Sequence, residues 1–155
     1  MVYIETNKDL LTVPLEYVVA HNIDAGETAM GAGVALALCR KYPSLRSSCQ
    51  QYAQNNGHKV GETYRFVDGN RVVYNMYTKP HVWCNAYRGM SYADYLANQE
   101  QCLIALRNHM IKHNEWFLAI PKVGSGLDRC RWEDIRQIIQ KVFEPTEIHI
   151  LVCYI

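Results

Sequence analysis

Two short glycine-containing stretches offer backbone to a ligand. Met30-Gly31-Ala32-Gly33 follows the apolar run Val18–Ala20 and precedes a run of helix formers. Gly124-Ser125-Gly126 follows Phe117–Ile120 and precedes a helical pattern that begins at about Trp132. Glycine lets a chain turn sharply and lets a ligand approach with no Cβ in the way. The unpaired N–H groups at a helix start, at the positive end of its dipole, form an anion site. Either stretch alone is an ordinary turn signal. The informative feature is that both share one layout of strand, glycine loop and helix. In open α/β sheets ligands bind beyond the carboxyl ends of the strands. If these two strands lie close together, the loops face each other across one cleft, which fits a pyrophosphate with a loop on each side. The dinucleotide fingerprint is not met, because Leu36 stands where its third glycine would be, and no Walker A string occurs. Gly126→Val is expected to abolish binding here by blocking backbone approach and resisting any positive φ.

Two side chains add reactive chemistry. Lys79 ends a β-rich run and opens Lys79–Met90, a stretch of about a dozen residues; unstructured loops of that length are often functional. An unprotonated lysine amine is a nucleophile that forms Schiff bases with carbonyl carbons. Asp128 stands directly after the second glycine loop, and a carboxylate is a residue type that can serve as a general base. By type alone, Lys79 reads as an exposed surface lysine and Asp128 as a loop residue satisfying backbone N–H groups. His21, beside the first loop, reads more often as a hydrogen-bonded structural residue than as a ligand contact. Trp83 reads as a lid residue or as a core anchor.

These residues need elements to hold them. Val2–Thr6 and Tyr17–Ala20 read as strands, followed by a polar loop, His21–Ala29. Helices are predicted over Val34–Tyr42 and Ser44–Asn55. Glu62–Val67 and Arg71–Thr78 flank the turn signal Asp68-Gly69-Asn70 and form a hairpin. Ser91-x-x-Asp94 caps a helix that runs to about His113. Trp116–Ile120 is wholly apolar, the mark of a central strand. The loop Pro121–Cys130, a helix carrying Ile135, Ile138, Ile139 and Val142, and a strand over Glu147–Tyr154 complete the chain. The order β-β-α-α-β-β-α-β-α-β implies a layered α/β domain with a mixed sheet.

The chain has 155 residues, which suits one domain spanning 1–155. Sixteen Lys and Arg against fifteen Asp and Glu leave a net charge of +1, so charge gives no support to a dedicated duplex-DNA binder. No apolar run reaches the length of a membrane-spanning helix, and the N-terminus lacks signal-peptide character; a cytoplasmic monomer is expected. The six cysteines are scattered without zinc-finger spacing and read as reduced core fillers, with no metal and no cofactor expected.

At Ala20-His21, Met30-Gly31-Ala32-Gly33-Val34-Ala35, Tyr77-Thr78-Lys79, Tyr92, Ile120-Pro121-Lys122-Val123-Gly124-Ser125-Gly126-Leu127-Asp128-Arg129, Trp132-Glu133 and Val142–Thr146, the sequence resembles the macrodomain family. The resemblance is to the branch of terminal ADP-ribose protein glycohydrolases and of antitoxins that remove ADP-ribose from DNA. It implies a three-layer α/β/α sandwich around a six-stranded mixed sheet, with ADP-ribose at the strand ends. It further implies that Lys79 attacks the anomeric carbon of the distal ribose, assisted by Asp128, and that Asp9 in Asn7-Lys8-Asp9-Leu10 contacts the adenine amino group. The implied ADP-ribose contacts are Asp9, Leu10, His21, Asn22, Met30, Gly31, Ala32, Gly33, Val34, Thr78, Tyr92, Pro121, Val123, Gly124, Ser125, Gly126 and Leu127. Asp24 is a further candidate for a ribose or leaving-group contact, and Tyr92 either meets the distal ribose or packs the loop. The implied activity is hydrolytic release of ADP-ribose from modified carboxylate side chains or nucleobases, so the partner is ADP-ribose or an ADP-ribosylated protein or DNA. A non-catalytic ADP-ribose reader, or processing of ADP-ribose 1″-phosphate or O-acetyl-ADP-ribose, are the alternatives. The chain departs from the branch at Lys8, where glycine is usual, at Pro80, and in the length of Asn22–Ala29 and His81–Met90. These departures fall where the rest of a substrate would sit.

Overall fold

The computed structural model describes residues 1–155. Strand β1 (Val2–Asn7) leads through a 3-10 turn (Leu10–Thr12) to β2 (Val18–Asp24) and to helices α1 (Gly33–Lys41) and α2 (Leu45–Asn55). The hairpin β3 (Thr63–Asp68) and β4 (Arg71–Lys79) follows, then α3 (Tyr92–Lys112), β5 (Phe117–Pro121), α4 (Trp132–Phe143) and β6 (His149–Tyr154). The strands form one six-stranded sheet in the order β1-β6-β5-β2-β4-β3. Only β3 runs antiparallel to its neighbour.

The sheet is buried on both faces, as mostly parallel sheets must be. Along β2, Val18 and Ala20 face the layer of α3 and α4, where Leu103, Leu106, Ile135 and Ile139 pack. Val19 and Ile23 face the opposite layer, with Leu38, Leu45 and Cys49 of α1 and α2. This period-two alternation between two helical layers is the expected α/β/α sandwich. The cap expected at Ser91 is present: its hydroxyl accepts a hydrogen bond from the Asp94 N–H at 3.0 Å. All six cysteines are free and buried. No helix is long and apolar enough to cross a membrane.

One boundary differs from expectation. The run expected to become a loop at His21 stays in β2 through Asp24, with His21 opposite Asn75 and Asn22 opposite Met76 of β4. A hydrophobicity pattern cannot see this extension, because polar side chains at the cleft end of the strand break it. The register shifts between Ile23 and Asp24, opposite Lys79.

At the sheet edge, the Glu5 carboxylate receives Arg136 Nε at 2.7 Å, Arg136 Nη2 at 3.1 Å and Trp132 Nε1 at 3.2 Å, tying β1 to α4. The Arg136 hydrogen bonds hold the Glu5 carboxyl at about 2, well below its ordinary value of 4.5. A carboxylate whose folded pKa is depressed contributes stability that is present above the unfolded pKa and lost as pH falls through the folded one. Glu5→Gln should therefore lower Tm at pH 7, and the gap from wild type should close between about pH 4.5 and pH 2. Thermal unfolding across that window checks it; a gap that persists at pH 2 would show that charge pairing is not the cause.

Candidate active site

Strands β2 and β5 are direct neighbours, paired at Val18–Leu118 and Val19–Ala119. The two glycine loops consequently face each other across a cavity of about 540 Å³. Its walls include Met30–Ala35 on one side and Pro121–Gly124 with Gly126–Asp128 on the other. In the first loop Met30 takes φ +49° and Gly33 φ +57°. A left-handed non-glycine residue is uncommon and costs energy. Met30 is held there because its side chain is buried and Arg46 donates to its carbonyl at 2.9 Å. The Asp24 carboxylate accepts the Thr28 N–H at 2.8 Å and folds this loop back over the strand end.

In the second loop the positive φ belongs to Gly124, at +74°. A Cβ there would lie 3.3 Å from the Tyr95 ring and 3.4 Å from Ile135. Gly126, expected to need a positive φ, does not: its φ is ordinary and nothing lies within 4 Å of where its Cβ would be. The strained turn falls two residues earlier, where the chain leaves β5, and Gly126 only keeps the cavity wall bare.

Lys79 closes β4, the other neighbour of β2, and points into the same cavity. Its Nζ donates to Asp128 Oδ1 at 2.7 Å and to the Cys84 carbonyl at 2.9 Å. Each side chain of this pair is only 13% exposed. Asp128 lies outside helix and strand, yet it is well fixed. Its carbonyl accepts the Ala86 N–H at 2.8 Å, and its second carboxylate oxygen accepts the Tyr95 hydroxyl.

The other expected residues divide. Asn22 lines the main cavity together with His21 and Asp24. Asp9 and Leu10 line an adjoining cavity of about 510 Å³, which shares Gly33, Val34, Pro121 and Lys122 with the first. His21 is buried and meets Asn75 Oδ1 through Nε2 at 2.6 Å. Burial pushes its pKa down to about 4, so the ring is neutral near pH 7. Because Asn75 Nδ2 already donates to two carbonyls, its oxygen is the acceptor and His21 Nε2 carries the ring proton. His21 Nδ1 is then a buried acceptor with no protein donor.

Three expected contacts stand back from the cavity. Thr78 is fully buried and its hydroxyl donates to the Tyr95 hydroxyl at 3.3 Å. The Ser125 hydroxyl turns inward to the Lys122 carbonyl at 2.7 Å. The Tyr92 hydroxyl donates to Asp134 and accepts the Arg131 N–H at 3.1 Å, so the side chain pins the start of α3 to the start of α4.

Trp83 is half-exposed on the rim, stacked on His81 at 5.7 Å. Glu27 clasps this rim by accepting the Val82 N–H at 2.9 Å and His81 Nδ1 at 2.8 Å. No group of three or more His, Cys, Asp or Glu is gathered for a metal ion.

Sequence reasoning missed Tyr95 and Gln99. Both lie on the buried stripe of α3 with Cys102, Leu103, Leu106 and Met110. A glutamine within an otherwise apolar stripe was the available signal, since a buried amide must have partners.

Fold and cleft together define an α/β protein with a cleft between two glycine loops, beside a buried lysine–aspartate pair. No family model matches the chain. It is 31% identical over 144 residues, 93% of its length and 86% of the relative's, to a Homo sapiens protein named ADP-ribose glycohydrolase OARD1. It is 26% identical over 119 residues to a protein of Mycobacterium bovis (strain BCG / Pasteur 1173P2) named DNA ADP-ribosyl glycohydrolase, matching 74% of this chain and 32% of that one. Among solved structures, the macrodomain of Mycobacterium tuberculosis DarG superposes with a TM-score of 0.82 at 22% identity, over 98% of this chain and 96% of that one. The chain belongs to the macrodomain family, in the branch that holds these glycohydrolases.

Proposed function

We propose that this chain is a hydrolase that releases ADP-ribose from modified carboxylate side chains or nucleobases, with Lys79 as nucleophile and Asp128 as its base. The observation that carries the reading is the 2.7 Å Lys79–Asp128 pair inside the cleft between the glycine loops. A protein that only reads ADP-ribose needs the loops but not this pair. The names of the relatives, ADP-ribose glycohydrolase and DNA ADP-ribosyl glycohydrolase, support the same activity.

The pyrophosphate lies between the loops, against backbone N–H groups at the start of α1 and of the second loop. The adenosine extends toward Asp9 and Leu10, and the distal ribose reaches Lys79. A bond forms between the unprotonated Nζ and the anomeric carbon, and the bond to the leaving carboxylate oxygen or base nitrogen breaks. The ring C–O bond then opens to an imine. Asp128 exchanges protons with the ribose hydroxyl and the amine, and the ring oxygen leaves as a hydroxyl. Water adds to the imine carbon, the Lys79 amine departs, and free ADP-ribose closes again. We read residues 1–155 as one domain acting as a cytoplasmic monomer.

The test offers purified protein a mono-ADP-ribosylated glutamate peptide, ADP-ribosylated DNA and O-acetyl-ADP-ribose, and measures free ADP-ribose. Release from the peptide or the DNA is expected. Tight ADP-ribose binding with no release from any of the three would make the chain a reader, and release from the acetyl ester alone would make it a metabolite-processing enzyme.

A further inference from the structure

We infer that Tyr95 is a positioning residue for Asp128, and that a buried polar relay running from α3 and β2 to the Tyr95 hydroxyl holds the catalytic carboxylate against Lys79. The inference rests on the hydrolase reading above and adds to it a residue that never touches the substrate.

The direction of the relay follows from counting protons. Asn22 and Gln99 form a paired amide contact: Asn22 Nδ2 donates to Gln99 Oε1 at 2.6 Å, and Gln99 Nε2 donates to Asn22 Oδ1 at 3.2 Å. Asn22 Nδ2 also donates to the Tyr95 hydroxyl oxygen at 3.2 Å, and the Thr78 hydroxyl donates to the same oxygen at 3.3 Å. A tyrosine hydroxyl has one proton to give. With two donors already aimed at its oxygen, that proton is directed at Asp128 Oδ2. Burial, followed by the Asp128 charge, pushes the Tyr95 hydroxyl pKa well above its ordinary value, so it keeps the proton throughout the working pH range.

Thr78, Tyr95 and Gln99 are fully buried. Placing so many polar groups in a helix–sheet interface is unfavourable unless each is paired. The chain of donors ends at Asp128, the one carboxylate in it. An independent contact points the same way. The Tyr95 ring packs against Gly124, 3.3 Å from where a Cβ would stand, so one side chain from α3 shapes the glycine loop and orients the carboxylate that follows it. Asp128 itself lies on irregular backbone, where no helix or strand fixes a side-chain direction.

Tyr95→Phe removes the hydroxyl and keeps the ring against Gly124. It should lower kcat by about 10- to 100-fold, a part of the roughly 10²- to 10⁴-fold that a positioned general base contributes, with KM and ADP-ribose affinity within about threefold of wild type. In an Asp128→Asn background the same change should add less than about twofold, because residues acting as one unit are not additive. A loss of Tm with kcat unchanged, or an undiminished kcat effect in the Asp128→Asn background, would overturn the inference. A readout without substrate separates this from the hydrolase reading. In protein labelled with ¹³C at tyrosine Cζ, the Tyr95 resonance should move on Asp128→Asn. An unmoved resonance would overturn the inference whatever the activity. A moved resonance in a protein inactive on every substrate would sink only the hydrolase reading.

Discussion

Lys79→Ala is expected to bind ADP-ribose within about threefold of wild type while turnover falls by on the order of a thousandfold or more, the scale of removing a covalent nucleophile. Binding should survive because the proposed phosphate contacts are backbone N–H groups of the two loops, and neither hydrogen bond of Lys79 Nζ goes to a backbone group of those loops. Its Nζ contacts only Asp128 and the Cys84 carbonyl. Lys79→Arg should be equally inactive. It keeps the positive charge, but a guanidinium stays protonated and cannot form an imine. The pair of variants thus separates covalent catalysis from charge stabilisation alone. Borohydride added to wild type with ADP-ribose should leave a mass increase on the peptide containing Lys79. Lys122 is the informative competitor: it borders both cavities, but its Nζ lies over the Tyr154 ring at 4.4 Å, turned toward the adjoining cavity. An adduct on Lys122, or near-normal turnover in Lys79→Arg, would overturn the assignment. Removing one member of a buried ion pair also costs stability, so Tm is measured beside each rate to keep the two effects apart.

Gly126→Val is expected to weaken ADP-ribose binding by at least about a hundredfold, or about 2.7 kcal/mol, with the fold intact. The structure sharpens the reason. A Cβ at Gly126 would meet no atom within 4 Å and no left-handed backbone, and Gly126 lines the cleft, so the added side chain is accommodated by the fold and takes up cleft space proposed for the pyrophosphate. Gly124→Val is the contrasting case. There φ is +74° and the new Cβ would press on Tyr95 and Ile135, so this variant should lose stability as well as binding. Calorimetry with ADP-ribose and with AMP distinguishes the two. Wild type should prefer ADP-ribose, because two loops serve two phosphates, and Gly126→Val should lose that preference at an almost unchanged Tm. Normal ADP-ribose affinity in Gly126→Val would reduce Gly126 to a turn residue and remove the second loop from the site.

Much of the scaffold was legible because its signals are local. The apolar run Phe117–Ile120, the hairpin turn at Gly69 and the cap at Ser91 all depend on near neighbours in the chain, and each stands within a residue or two of its expected place. The second half of β2 was not legible. His21, Asn22 and Asp24 are polar, and what keeps them in a strand is pairing with β4 and burial beneath the cleft, both long-range.

The candidate site divides along the same line. Residue types and spacing by themselves determined the two matched glycine loops, because backbone freedom is a property of single residues and their neighbours; Lys79 and Asp128 were singled out by the resemblance to the macrodomain family, since by type alone they read as a surface lysine and a loop aspartate. Only the tertiary structure decided that β2 and β5 are adjacent, which makes two loops one cleft, and that Lys79 and Asp128, 49 positions apart, form one pair. It alone turned Tyr92 and Ser125 away from the cavity and recruited Tyr95, Asn22 and Gln99 to stand behind the carboxylate. Hydrogen-bond direction depends on which buried donors and acceptors meet, and that is set by how helices pack on the sheet, which no stretch of neighbouring residues records.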